Sequence, residues 1–312
     1  MSVLNRIFLL IIAFAFYENI SKGQSVESSP QSVYPYALLS QKNELKILSW
    51  NIYMLPGFAN FAGYGVFSGK KKRAKAIVEE LKKLDYDIIV FQEAFHRSAR
   101  SKLKRGLVKL YPYMVGPANT KKIAIKTNSC IWIISKIPLK EIKVIDFKQC
   151  QGIDCWARKG ALLVEGTWQG KLFHIIGTHL ESGPQQYIRK SQYEEIYSYL
   201  LEPYQKTGVP QFICGDLNTN SADSVSYMDM LNTLKAENGE LLGEVKVTIG
   251  GIANDMSSGG TTNQYEIDYI LVRDNGADIK SIKRKVSILQ HPWSKKRKDL
   301  SDHWGVEAVI EF

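Results

Sequence analysis

The stretch "VPQFICGDLNTNS", Val209 to Ser221, decides how the rest of the chain is read. Pro210 leads into Gln211, Phe212, Ile213 and Cys214, a short apolar run that reads as a buried strand. The run then meets Gly215, Asp216, Leu217 and Asn218. In extended chain, residues i and i+2 share a face, so Asp216 and Asn218 are expected to point the same way. A buried carboxylate with no partner costs several kcal/mol. Asp216 therefore needs a cation, a donor or water beside it.

Other strands end in the same manner. "LKILSWNIYML" (Leu45 to Leu55) reads as a strand interrupted by Asn51, and "DIIVFQE" (Asp87 to Glu93) as a continuous apolar strand ending in Glu93. Strands are also expected over Ser129 to Ser135, Ile142 to Phe147, Ala161 to Trp168 and Leu172 to Leu180. The last two are joined by a Gln-Gly turn of hairpin type. The chain closes with strands at Glu266 to Arg273, Val286 to Gln290 and Trp304 to Phe312. Helical spacing marks Lys71 to Leu84, a basic amphipathic segment from Ser98 to Leu110, Pro184 to Leu201, and Ala222 to Leu234 with Ser221 as its N-cap. Strands outnumber helices by about two to one, and hairpins mix with helical crossovers, which predicts two mostly antiparallel sheets with helices on their outer faces.

At 312 residues, 45% hydrophobic and 23% charged, with no repeat or low-complexity tract, the body reads as one globular domain. Arg6 followed by the apolar run Ile7 to Phe16 has the form of a secretory signal, and the run is too short to span a bilayer. Cleavage is expected after Gly23, with residues 24–42 a loose lead-in and 43–312 the domain. The net charge of +10 falls to +9 once Arg6, Lys22 and Glu18 are removed. Such a balance favours an anionic partner, either nucleic acid or a membrane surface. Cys150 and Cys155 lie in the polar loop "KQCQGIDCWARKG" and could close a small ring in an exported protein, whereas Cys130 and Cys214 sit in apolar strands as buried thiols.

The polar residues at strand ends carry the chemistry. Asn51, Glu93, His179, Asp216, Asn218, Asp268, Asp302 and His303 would all fall on one edge of a sandwich. An oxygen-rich set of this kind suits Mg²⁺, Mn²⁺ or Ca²⁺ better than zinc, since neither thiolates nor a helical His pair joins it. A hard cation beside two imidazoles suits phosphoryl chemistry. His174 alternates with apolar neighbours and reads as a satisfied strand histidine; His96 and His291 read as loop residues.

The ordered motifs "SWNIYMLP", "FQEAF", "GTHLES", "GDLNTN", "IDYI" and "SDHWGV" resemble the endonuclease/exonuclease/phosphatase superfamily. The resemblance implies an α/β (α+β), four-layered, deoxyribonuclease I-like sandwich that cleaves phosphoester bonds with a divalent metal. Carried over by position, it makes Glu93 the main metal ligand, with Asn51 beside metal and phosphate and Asp302 supporting the metal site. His179 would contact the phosphate and the leaving group, Asp216 and Asn218 would position metal, water and phosphate, and His303 would act as general base oriented by Asp268.

"WNIYMLP", "CQGIDCWARKG" and "GDLNTN" look most like the secreted bacterial sphingomyelinase C branch. That branch implies Mg²⁺, with Mn²⁺ or Co²⁺ as substitutes, hydrolysis of sphingomyelin at a phospholipid membrane surface, and a monomer. Trp293 beside Lys295, Lys296 and Arg297 suits an interfacial contact, and Lys159 of the Lys-Gly pair is grouped with those substrate or membrane contacts. Phe58, Phe61, Tyr64 and Phe67 offer either a choline or lipid contact near the rim or simple loop packing. A secreted deoxyribonuclease I-like nuclease, its basic loop tracking a nucleic acid, is the alternative, and a non-catalytic lipid- or heparin-binding protein the third reading.

Overall fold

In the computed structural model, residues 43–56, 69–119, 127–250, 254–257 and 264–312 are described. The expected signal segment and lead-in, and the aromatic set Phe58, Phe61, Tyr64 and Phe67, lie outside them.

The first strand, β1 (Glu44–Asn51), shows how the layers are made. Its side chains alternate: Leu48 and Trp50 turn into a cluster with helix residues, while Ile47, Ser49 and Asn51 turn to the other face, all buried. Helix α1 (Lys70–Leu81) meets that cluster through Ala74, Ile77, Val78 and Leu81, the positions its spacing predicts. Then come β2 (Ile88–Gln92), α2 (Arg97–Leu107), β3 (Tyr113–Val115), β4 (Trp132–Ser135) and β5 (Leu139–Asp146). The hairpin of β6 (Gly160–Trp168) and β7 (Lys171–His179) turns at Gln169 and Gly170, both at positive φ, as the Gln-Gly pair requires. Next are α3 (Gln186–Ile196), β8 (Gln211–Asp216), α4 (Ser224–Leu234), β9 (Leu241–Leu242), β10 (Ile249–Gly250) and β11 (Gln264–Tyr265). The chain ends with β12 (Asp268–Arg273), β13 (Ser281–Ser287), β14 (Gln290–Ser294), β15 (Arg297–Asp299) and β16 (Gly305–Glu311).

Among the described residues, one sheet runs β3-β4-β2-β1-β16-β13-β9 and the other β12-β8-β7-β6-β5. Helices α1 and α2 cover the first; α3 and α4 cover the second through Tyr193, Ile196, Met230 and Leu234. The four layers expected from the motifs are therefore present. The inner faces approach closely at Gly177, where an added Cβ would stand 2.8 Å from Ile131 and 3.1 Å from Val90 of the facing sheet.

Several boundaries differ from expectation. Asp223, not Ser221, caps α4, its side chain accepting from the Ser226 amide. The helix after Pro184 is α-helical only to Ile196 and closes in a π turn, Tyr197–Leu201. The strand expected over Val286 to Gln290 is two: β13 ends at Ser287, and His291 lies in β14 rather than in a loop.

Candidate active site

Strand register assembles the site. In β7 and β8, which are parallel, His179 sits opposite Asp216; in β8 and β12, which are antiparallel, Asp216 sits opposite Asp268. These three side chains form one row across three adjacent strands. The facing sheet supplies Asn51 at the end of β1 and Glu93 just after β2. His303 enters two residues before β16, where its carbonyl accepts from the Trp50 indole at 3.1 Å. Ser301 holds the same corner by donating to the Asn51 carbonyl at 2.7 Å.

Nδ1 of His303 lies 2.9 Å from Oδ2 of Asp268, and its Nε2 lies 3.8 Å from Oδ2 of Asp216. Since a carboxylate only accepts, Nδ1 carries the proton and Nε2 faces the cleft. Burial works against a cation on this ring, but the charge and hydrogen bond of Asp268, with Asp216 and Asp302 behind, hold its pKa well above the ordinary value. Asn51 Nδ2 donates to the same Asp216 oxygen at 3.1 Å.

Asn218 reaches the site by a route the pattern did not foresee. The strand stops at Asp216, and Asn218 takes a left-handed conformation, φ 49°, rather than extended chain. Its amide N–H donates to Oδ1 of Asp216 at 3.0 Å and its side chain to the Leu180 carbonyl at 3.0 Å. Proximity to Asp216 follows from a turn that Asp216 itself caps, not from shared strand parity.

His179 is held from behind. Nζ of Lys159 donates to its Nε2 at 3.2 Å, to the Leu180 carbonyl at 2.7 Å and to Asp154 at 2.7 Å. Burial first, then Lys159, lowers the His179 pKa to about 4. Lys159, 5% exposed, is too buried for the membrane contact expected of it and instead supports the His179 imidazole. Asp154 lies within the ring closed by Cys150 and Cys155, which are disulfide-bonded. Cys130 and Cys214 are free and buried, and the Cys130 sulfur lies 3.6 Å from Nδ1 of His179.

Glu93 has a left-handed backbone, φ 54°, and its Oε2 is buried without a hydrogen-bond partner among the described residues. Burial, then the charge of Asp302, pushes its carboxyl up to about 8. Asp302 is likewise raised by burial, with His303 and Arg73 opposing. Two carboxylates that repel and one orphaned oxygen are what a hard divalent cation relieves, so Glu93, Asn51 and Asp302 fit the cation expected there. One atom each of Asp216, Asp268 and His303 also lie within 4.8 Å of one another. There Oδ2 of Asp268 is taken by His303 and Oδ2 of Asp216 by Asn51, which suits proton handling, while Oδ1 of Asp268 is buried with no hydrogen-bond partner among the described residues.

Sequence reasoning missed Arg73 and Asp154. Arg73 is buried, donates to the carbonyls of Ile52 and Leu300 at 2.6 Å and 2.6 Å, and braces the chain just after Asn51 and just before Asp302. It hides in a run of three lysines that reads as a solvated face. Trp293 is turned partly inward, packed on the α1 cluster with its indole donating to the Asp299 carbonyl at 2.8 Å. Lys295 and Lys296 are exposed, and Arg297 is tied to the Asp255 carbonyl. Beside Glu93 opens a recess of about 200 Å³ whose lining includes Tyr53, Leu55, Phe95 and Trp156.

Two facing sheets with a histidine–carboxylate cleft at their strand ends define a class, the phosphoester hydrolases built as α/β sandwiches. The chain belongs to the endonuclease/exonuclease/phosphatase family, which it matches over residues 48–303. It is 31% identical to Sphingomyelinase C 2 of Leptospira interrogans over 264 residues, covering 78% of this chain and 41% of that one, so it spans less than half of that relative. Against Phospholipase C of Staphylococcus aureus it is 26% identical, covering 96% of this chain and 93% of the other. A beta toxin mutant of Staphylococcus aureus, solved with bound magnesium ions, superposes with a TM-score of 0.74 at 26% identity, covering 85% of this chain and 99% of that one. Among the described residues no helix is long and apolar enough to cross a membrane.

Proposed function

We propose that this chain is a secreted, Mg²⁺-dependent sphingomyelin phosphodiesterase that releases phosphocholine and leaves ceramide. The observation that carries the reading is the His303 ring, fixed by Asp268 on one nitrogen and open to the cleft on the other. The names of the relatives, Sphingomyelinase C and Phospholipase C, support the substrate class. The recess beside Glu93 supports it further, because the faces of Tyr53, Phe95 and Trp156 suit a quaternary ammonium. Secretion rests on the Arg6-led apolar run.

Glu93, Asn51 and Asp302 would hold the cation. When bound, it supplies Lewis acidity to a phosphate oxygen and a positive charge that opposes the imidazolium form of His303. Nε2 of His303 takes the proton of the attacking water as the oxygen–phosphorus bond forms, and Asp268 keeps the ring in the required tautomer. Asp216, between the two rings, is shared with Asn51 and the Asn218 backbone and holds the water and phosphate in place. The phosphorus–oxygen bond to ceramide breaks as the new one forms, the ceramide alkoxide taking its proton from bulk water, and His179, on the other side of Asp216 and backed by Lys159, would flank the phosphate.

The test is a paired assay of sphingomyelin liposomes and plasmid DNA, each with Mg²⁺ and with EDTA. Metal-dependent phosphocholine release with intact DNA is expected. Nicked DNA with intact lipid would overturn the substrate, and no hydrolysis of either would overturn the activity.

A further inference from the structure

β12 enters the catalytic row at Asp268 and leaves it at Arg273, and at that far end lies a second cavity of about 560 Å³. Its floor is Arg284. In β13, Arg284 sits opposite Ala308, which sits opposite Ile47, so its side chain projects from the inner face of the larger sheet. It is 1% exposed.

The other cations around this cavity are engaged. Arg273 donates to Gln211 and Gln205, Lys235 to the Tyr197 hydroxyl and Lys280 to the Phe312 carbonyl. Arg284 gives one nitrogen, Nη2, to the Gly239 carbonyl at 3.0 Å, while its Nε and Nη1 are buried with no hydrogen-bond partner among the described residues. Glu266 is the carboxylate whose charge reaches it. Glu237 and Asp274 also line the cavity, but they are exposed at its mouth beside Lys235 and Lys280. Four cations against two carboxylates leave the lining basic.

A buried guanidinium with unmet donors is costly, and those donors are best met by an oxyanion that accepts several charge-assisted hydrogen bonds. We propose that this cavity binds a phosphate-class oxyanion on Arg284, remote from the catalytic row and separate from its cation pocket. A floor this deep admits a small anion or a single phosphomonoester group.

Titration calorimetry of the full chain in EDTA, with inorganic phosphate and with glycerol phosphate at matched ionic strength, tests this. Saturable binding is expected, at least about tenfold weaker in Arg284→Met. The rim variant Lys235→Ala/Lys280→Ala leaves the floor intact and should weaken binding severalfold; it decides the matter if Arg284→Met does not fold. Glu93→Ala should bind as the parent does. Tighter glycerol phosphate would point to a headgroup-type source, and equal binding to free phosphate. No saturable binding of either anion, unchanged binding in a folded Arg284→Met or, where that variant does not fold, in the rim variant, or loss in Glu93→Ala would overturn the proposal.

Discussion

Nζ of Lys159 donates to Nε2 of His179 across 3.2 Å, and both groups are buried. Because an ammonium has no acceptor, Nε2 must be unprotonated and Nδ1 carries the hydrogen toward Cys130. Replacing Lys159 with Met removes the second-largest cause of the lowered His179 pKa. The His179 titration, followed by NMR, should move up from about 4, and turnover should fall about tenfold or more. An unmoved titration would show that burial alone sets it.

Asp268→Asn keeps the shape of the His303 partner but removes its charge and permits the wrong tautomer. Turnover should drop by about 10³–10⁴ with the far-UV spectrum unchanged, as expected when the orienting carboxylate of an imidazole base is neutralised. A loss under tenfold would take proton abstraction away from His303.

Glu93 gives a metal-linked prediction. Its carboxyl is raised to about 8 in the fold against 4.5 unfolded, so the ionised form opposes folding increasingly as pH rises between those values. In EDTA at pH 8, Glu93→Gln should therefore be more stable than the parent chain by about 4 kcal/mol. Adding Mg²⁺ should reverse the order, since only the parent gains the ion. Urea midpoints in the two buffers measure both halves.

His179 predicts an acid limit. Its pKa is lowered to about 4 from 6.5, so the unfolded chain binds the proton more readily in that window. Stability present above pH 6.5 should be lost as pH falls toward 4, amounting to about 3 kcal/mol. Relative to the parent, His179→Gln should lose less over the same window. Parallel pH profiles of the two chains would contradict the burial of a neutral ring.

The exposed lysines bear on membrane attraction. Lys295→Ala/Lys296→Ala should weaken binding to vesicles containing anionic lipid by about 1 kcal/mol per residue at low salt, and less at high salt. Turnover of a soluble phosphodiester should not change. Unaltered vesicle binding would move the contact elsewhere on the surface.

Much of this arrangement was legible in the sequence because a local pattern coincided with a tertiary need. The apolar runs ending in Glu93 and Asp216 are strands buried on both faces, so a terminal acid stands out. Helix α1 shows its buried face at helical spacing. Arg73 and Lys159 could not be read in this way. Both look like surface cations, and their partners are backbone carbonyls and a histidine supplied by distant segments. Asn218 was placed near Asp216 by an extended geometry that the chain abandons at the strand end. The inward turn of Trp293 depends on the Asp299 carbonyl across a hairpin, which composition does not encode.

The row His179–Asp216–Asp268 is held by the ladder bonds of three neighbouring strands, and His303 reaches it from the far end of the chain. A slip of one residue in β8 would turn Asp216 from the cleft to the helix side. Turnover is thus a readout of sheet alignment. During refolding it should return only once the last strand has docked, so an enzymatic clock started at dilution from urea would time the pairing of β16 with β1, the most distant among the described residues.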